Sequence, residues 1–197
     1  MTDEFFALKH PADNPEGYAT VDQLAGFEDE WAVGQGMSLA ATPPDKLTMS
    51  MYADEPRNTV LPDYVQNMKS LVIVSPRLRS FLEARQVSNV EYYPLEINDH
   101  KGKVASSEYS VAHLINPVDC IDADASGAKW IGEGLATKRI MLLRKLVLDP
   151  SRVPEDRQLF FPRYYSEIPL LRRELADAMR QENFSNVKIV PLSKGVR

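Results

Sequence analysis

A single cysteine, Cys120, three histidines and two tryptophans are all that the 197 residues hold of those types. One cysteine excludes an internal disulfide, and one thiol with three imidazoles leaves little from which to build a zinc site, so a reducing compartment fits best. Long apolar runs are missing as well. Leu71 to Val74 is a short one, and the richest stretch, 140–148, is broken by Arg144 and Lys145, far below the ~20 apolar residues of a membrane-spanning helix. The opening Met-Thr-Asp-Glu-Phe-Phe has neither the positive charge nor the apolar core of a secretory signal. The expectation is a cytoplasmic protein without membrane contact. An excess of positive charge is also absent: 23 Lys+Arg against 28 Asp+Glu give a net charge of -5, which repels phosphate backbones and excludes a general nucleic-acid binder. No H-E-x-x-H, G-x-S-x-G, Walker or dinucleotide fingerprint occurs, and no cofactor is expected.

What is present is ordinary globular material, 44% hydrophobic and 26% charged, long enough to build a core without disulfides or metals. The charge is unevenly placed. Residues 1–30 hold eight acids and one base, a balance of -7, while residues 31–197 hold 20 acids and 22 bases, a balance of +2. Over residues 10–66 no clear period emerges; Trp31, Val33, Met37 and Leu39 alternate, but Gly34 and Gly36 interrupt them and Pro43-Pro44 ends the stretch. The chain therefore divides into a loop-rich acidic N-terminal lobe, 1–66, packed on an α+β body, 67–197.

Within the body, Leu71 to Val74 reads as a strand and Ser75-Pro76 as a cap followed by proline at the first helical position. Leu78, Phe81 and Leu82 give that helix, about 76–87, one apolar stripe. Val90 to Ile97 and about 109–115 read as strands flanking the polar loop 98–103, and 118–122, 140–148 and 159–161 as further strands. Ser166 is expected to cap a last helix, about 167–182, in which Leu171, Leu175, Ala178 and Met179 supply the stripe. The expected fold is α+β, with a mixed or mainly antiparallel sheet and these two principal amphipathic helices. Ser88-Asn89-Val90-Glu91-Tyr92-Tyr93-Pro94-Leu95 and Ser185-Asn186-Val187-Lys188-Ile189-Val190-Pro191-Leu192 share five of eight positions at an offset of 97, each after a helix. Duplication explains this echo; so does the preference for Ser-Asn in a turn after a helix.

Candidate chemistry is sparse. Asp119, Asp122 and Asp124 are the carboxylate cluster that a magnesium or calcium site would need, but in a strand Asp119 points away from the other two, and turn-forming and surface acids are the stronger reading. Cys120 with His113 lacks an elbow to donate oxyanion hydrogen bonds, and Asp119 and Asp122 disfavour a thiolate, which leaves a buried inert thiol. Lys138, Arg139, Arg144, Lys145, Arg172 and Arg173 read either as a phosphate patch or as a solvated face, with Arg173 and Asp177 spaced for an i, i+4 pair. Trp31, after Glu28-Asp29-Glu30, and Trp130 are interface anchors or core residues.

The ordered features Val74-Ser75-Pro76-Arg77-Leu78, Val90-Glu91-Tyr92-Tyr93-Pro94-Leu95, Tyr109-Ser110-Val111 leading to Ile115-Asn116, Val118-Asp119-Cys120-Ile121-Asp122 with Ser126, Lys145-Leu146-Val147-Leu148-Asp149 and Phe160-Phe161 resemble the eleventh family of polymorphic-toxin immunity proteins. They span about residues 70–192. The resemblance implies a cytoplasmic α+β protein that binds and neutralises a cognate toxin, with no catalytic residues. The charge split implies a basic toxin, steered by the acidic lobe, and the expected contact residues are Glu28, Asp29, Glu30, Trp31, Asp122, Asp124 and Trp130. Two other readings stand beside it: a metal-dependent hydrolase using Asp119, Asp122 and Asp124, and a regulator that holds a non-toxin partner, such as a protease, inactive.

Overall fold

The structure, a computed structural model, describes residues 4–132 and 134–195; Asp3, Glu133 and the side chain of Glu30 lie outside the described residues. In chain order these form β1 (Phe5–Lys9), β2 (Thr20–Ala25), α1 (Glu30–Gly34), β3 (Leu47–Met51), β4 (Tyr64–Asn67), β5 (Ile73–Val74), α2 (Pro76–Ala84), β6 (Val90–Asn98) and β7 (Val104–Leu114). There follow α3 (Ala123–Ser126), β8 (Lys129–Ile131), β9 (Arg139–Leu142), β10 (Leu159–Phe160), β11 (Leu170–Arg172), α4 (Arg173–Glu182) and β12 (Lys188–Pro191). The fold is α+β with mixed sheets and two principal helices, as the patterning predicts. No helix among the described residues is long and apolar enough to cross a membrane.

Six strands close a small barrel in the order β2-β3-β6-β7-β5-β4, in which β2 with β4 and β3 with β6 run parallel. An open antiparallel sheet has the order β10-β11-β1-β12, and β8 with β9 forms a separate two-stranded ribbon. Strand alternation assigns the cores, because successive side chains leave opposite faces. Val21, Leu47, Met49, Ile73, Leu95 and Val111 fill the barrel. On β1, Phe6 and Leu8 face one way, toward Val74, Leu78, Leu82, Leu171 and Leu175, so that α2 and α4 share a core between the barrel and the open sheet. Phe5 and Ala7 face the other way, where they meet Cys120, Ile140, Leu143 and Phe160. Leu175 is 1% exposed, and truncating it to alanine removes about 2–5 kcal/mol.

Residues up to 67 supply β1 to β4, and each of these strands except β2 pairs with a strand from beyond residue 67. A hydrogen-bonded knot reinforces the join. Asp63 accepts from the Ser75 hydroxyl at 2.6 Å, the Ser185 amide at 2.9 Å and Arg77 at 3.2 Å. Burial pushes the Asp63 carboxyl up, but these donors outweigh it and hold the group below its usual range.

The offset of 97 recurs in three dimensions. β5, α2 and β6 form a strand-helix-strand unit whose strands lie on either side of β7, with Ile73 and Tyr93 both opposite Val111. β11, α4 and β12 lie on either side of β1 in the same way, with Leu170 and Val190 both opposite Ala7. Adding 97 to Ile73 and Tyr93 gives Leu170 and Val190. The match continues through the helices: the N-caps are Ser75 and Arg172, and Gln86 and Asn183 both have φ of 52°. The two units keep one register at the central strand and at the helix start, and differ by one residue at the helix end, which turn chemistry alone does not require.

Several local expectations differ from the structure. The last helix starts at Arg173, not near 167, because Leu170 to Arg172 pair with β1 as a strand. Leu171 fits a helical stripe only because, from its strand, it enters the same core as Leu175. Residues 118–122 form isolated bridges, not a strand; Val118 meets Pro162 and Ile121 meets Leu148. The run 140–148 is strand only to Leu142, and Leu143 and Leu146 are buried from an irregular segment beyond it. Trp31 and Val33 lie on a short helix.

Candidate functional site

The site begins with the helix α1. Asp29 caps it by accepting a hydrogen bond from the Ala32 amide at 2.9 Å, Ala32 turns inward at 5% exposure, and Trp31 is left half-exposed at 50%. The chain then reverses through Gly36, whose φ is +63°; a Cβ there would lie 2.8 Å from Pro117 Cδ and 3.0 Å from the Leu114 carbonyl. Only glycine meets both demands. The Gly36 carbonyl accepts from the Asn116 amide at 2.8 Å, which pins α1 to the end of β7.

Behind that turn, Glu91 of β6 and His113 of β7 stand opposite each other across the strand pair. His113 Nε2 is 2.7 Å from the Met37 carbonyl. Glu91 accepts from the Leu39 amide at 2.9 Å and from the hydroxyls of Ser38 and Tyr93. Burial raises the Glu91 pKa, but the Ser38, Tyr93 and Leu39 donors, with His113 nearby, bring it below the ordinary value. The carboxylate therefore holds the segment after α1 rigidly, and with it the position of Trp31.

The opposite wall comes from β9 and from residues 163–167. The Ile140 amide donates to the Tyr164 carbonyl at 2.9 Å, joining the two. Tyr164 meets Trp130 edge to face, with centroids 5.4 Å apart and rings at 76°. Lys138 Nζ sits 4.3 Å from the Trp130 centroid and 5.4 Å from that of Tyr164, and Arg163 stacks over Tyr164 at 5.0 Å. Between the walls is an open cleft of about 750 Å³ with Asn116 and Pro117 also lining it. A smaller apolar cavity of about 120 Å³, bordered by Leu24, Phe27 and Leu71, adjoins it through Gly34 and Gly36.

The cleft joins Trp31 to the wall that Trp130 supports. The remaining expected positions lie as follows. Glu28 and Asp29 are exposed at the start of α1. Asp122 caps α3 by accepting from the Ala125 amide at 2.9 Å, and Asp124 is exposed on the same helix. Among the described residues no three His, Cys, Asp or Glu side chains could hold a metal ion, so Asp119, Asp122 and Asp124 are not gathered into a metal centre. Cys120 is buried, and burial followed by the Asp119 charge pushes its thiol up to about 12, far from a thiolate at neutral pH. His113 is engaged with Met37, not with this thiol.

The basic residues do not form one patch. Arg172 bonds Glu4 at 2.6 Å and the Pro154 carbonyl at 3.0 Å, and Asp177 pairs with Arg180, not with Arg173. Sequence reasoning missed Tyr164, Arg163 and Glu91, and weighed His113 only as a partner for the Cys120 thiol, not for the segment after α1. A Pro-Arg-Tyr-Tyr stretch carried no period, and the Glu91 to His113 pairing needs the register of β6 on β7. The arrangement sets a half-exposed aromatic opposite a cationic wall across an open cleft.

A model of the Immunity protein family (Imm11) matches residues 7–193 of the 197. The match extends the stretch 70–192, on which the resemblance rests, to β1 to β4. No curated protein matches the chain.

Proposed function

The chain belongs to the Imm11 immunity protein family, and from that premise we propose that it protects the cell that makes it by binding a cognate toxin one to one in the cytoplasm. Inhibition is by occupation: the toxin's working surface is covered, or a movement it needs is blocked, and this protein performs no chemistry of its own. One observation carries the reading. Trp31 is half-exposed, and the backbone that carries it is tied on both sides, by the Asp29 cap at the Ala32 amide and by the Glu91 and His113 bonds to Leu39 and Met37. An aromatic on a backbone ordered before binding has only its side-chain torsions left to fix on docking, which suits an interface anchor.

Glu28, Asp29 and Glu30 supply the steering charge for a basic face of the toxin, raising the rate of encounter more than the final affinity. Trp130 acts through Tyr164, and Asp122 and Asp124 form a separate acidic outpost. The test is expression of the toxin encoded beside this gene, with and without the protein. Survival that depends on this protein, and that weakens in Trp31→Ala, supports the reading. Death in its presence rejects it.

A further inference from the structure

We infer that the cleft between α1 and the β8-β9 ribbon receives an acidic segment of the toxin, its carboxylates facing Lys138, Arg139 and Arg163 and an apolar side chain resting on Trp31; this rests on the toxin-binding reading above. The charge distribution comes first. Residues 129–145 contain Lys129, Lys138, Arg139, Arg144 and Lys145 against the single acid Glu133, a balance of +4 in a chain whose total is -5. The rest of the chain therefore carries -9. The near-neutral body after residue 30 owes its positive excess to this one ribbon and the segments that flank it.

Geometry adds to the charge. Lys138 and Arg163 are positioned by the faces of Trp130 and Tyr164, and among the described residues neither they nor Arg139 forms an ion pair with a carboxylate. A cation held over an aromatic ring is oriented but keeps its charge. By contrast Arg77, Arg79, Arg152, Arg172 and Arg180 each have a carboxylate partner. Glu167 is the one acid among the described residues lining the cleft. Apolar surface continues past it, with Met37 47% exposed, Met141 60% and Leu142 44%. The surface is thus built for carboxylates accompanied by apolar side chains.

A protein segment fits better than a nucleic acid. A phosphate backbone is charged along its whole length and would run from the cationic wall into Glu28 and Asp29 at the start of α1, where it is repelled. A short acidic segment sets its carboxylates on the cationic wall and brings only an apolar side chain to α1, at Trp31. The site is consequently two-signed, acidic at the start of α1 and basic on the ribbon, and this fixes the orientation of the partner as well as its identity.

The experiment has two arms on the full chain. In the first, the affinity for the toxin encoded beside the gene is compared between wild type and Arg139→Glu, with Arg139→Gln as the milder change; Arg139 is exposed, and matching thermal melts certify the fold. A loss of tenfold or more for Arg139→Glu, smaller for Arg139→Gln, is expected. Equal affinities in all three proteins, with the toxin still neutralised, overturn the inference and leave the function standing. In the second arm, tryptophan fluorescence is titrated with a synthetic peptide of glutamates carrying one leucine, with a matched lysine peptide, and with single-stranded DNA. Saturable change with the glutamate peptide alone, reduced in Arg139→Glu, is expected whatever the identity of the toxin. No response to it, or a stronger response to the lysine peptide or the DNA, overturns the inference. If the toxin does not bind wild type at all while the glutamate peptide does, the toxin reading falls and the acidic specificity of the cleft remains.

Discussion

Asn89 and Asn186 lie 97 positions apart and play the same part in opposite directions. Both adopt left-handed backbone conformations, with φ of 61° and 59°. Asn89, in the barrel's strand-helix-strand unit, donates its side-chain amide to the carbonyl of Leu159 in the open sheet at 3.1 Å; Asn186, in the open sheet's unit, donates to the carbonyl of Tyr64 in the barrel at 3.0 Å. The preceding serines act alike, Ser88 reaching Asp156 and Ser185 reaching Asp63. Each unit thus carries, between its helix and its second strand, a turn that fastens it to the other sheet.

Asn89→Ala and Asn186→Ala should each cost about 2 kcal/mol of stability, part from placing alanine in the left-handed region and part from a lost hydrogen bond. Glycine at either position relieves the backbone portion only and should cost about half as much. Urea denaturation of the single variants and of the double reads this; equal costs for alanine and glycine would show that backbone conformation is not the reason these asparagines are there.

His10 stacks on Tyr64 with centroids 4.0 Å apart, and burial, partly offset by Asn186, lowers its pKa from 6.5 to about 4. The folded chain therefore favours the neutral ring. Its contribution is complete above pH 6.5, drains away as the pH falls toward 4, and amounts to at most about 3 kcal/mol. Melting temperature should fall between pH 7 and pH 4, and His10→Phe should fall less. An identical slope in the variant would remove His10 as the cause.

Trp31→Ala should leave stability within about 0.5 kcal/mol of wild type, since the ring is half-exposed. Toxin affinity should drop by about 2 kcal/mol or more, roughly thirtyfold. Calorimetric melting and titration separate the two effects, and a variant that melts early but binds normally would make Trp31 a core residue.

Glu28→Gln, Asp29→Asn and Glu30→Gln together, which keep a side-chain cap on α1, should slow association with the toxin and flatten its dependence on salt, with little change in the dissociation rate. Stopped-flow mixing at low and high salt measures both. An unchanged association rate would assign the acidity of the first 30 residues to solubility.

The principal helices were legible because Ser75-Pro76 and the stripe at Leu175, Ala178 and Met179 are local signals. Barrel closure was not. It depends on parallel pairing of Leu47 with Leu95 and of Val21 with Asn67, contacts between short strands far apart in sequence. The run 140–148 misled because Leu143 and Leu146 join Ile140 in one core although the strand ends at Leu142. In the cleft, the two tryptophans drew notice as aromatics beside charge; that Tyr164 and Lys138 join the second of them to the wall facing the first depends on contacts across the fold. The echo at 97 was visible as five shared residues, and its meaning came from the registers of Ala7 and Val111.

The account stands or falls on stoichiometric neutralisation of a toxin. The direct measurement is titration of the purified toxin encoded beside the gene, following its own activity as this protein is added. Activity that falls linearly to zero at one equivalent, with an endpoint displaced to higher ratios by Trp31→Ala at concentrations near the dissociation constant, is the predicted result. Undiminished activity at excess protein, or inactivation by far less than one equivalent, would contradict it.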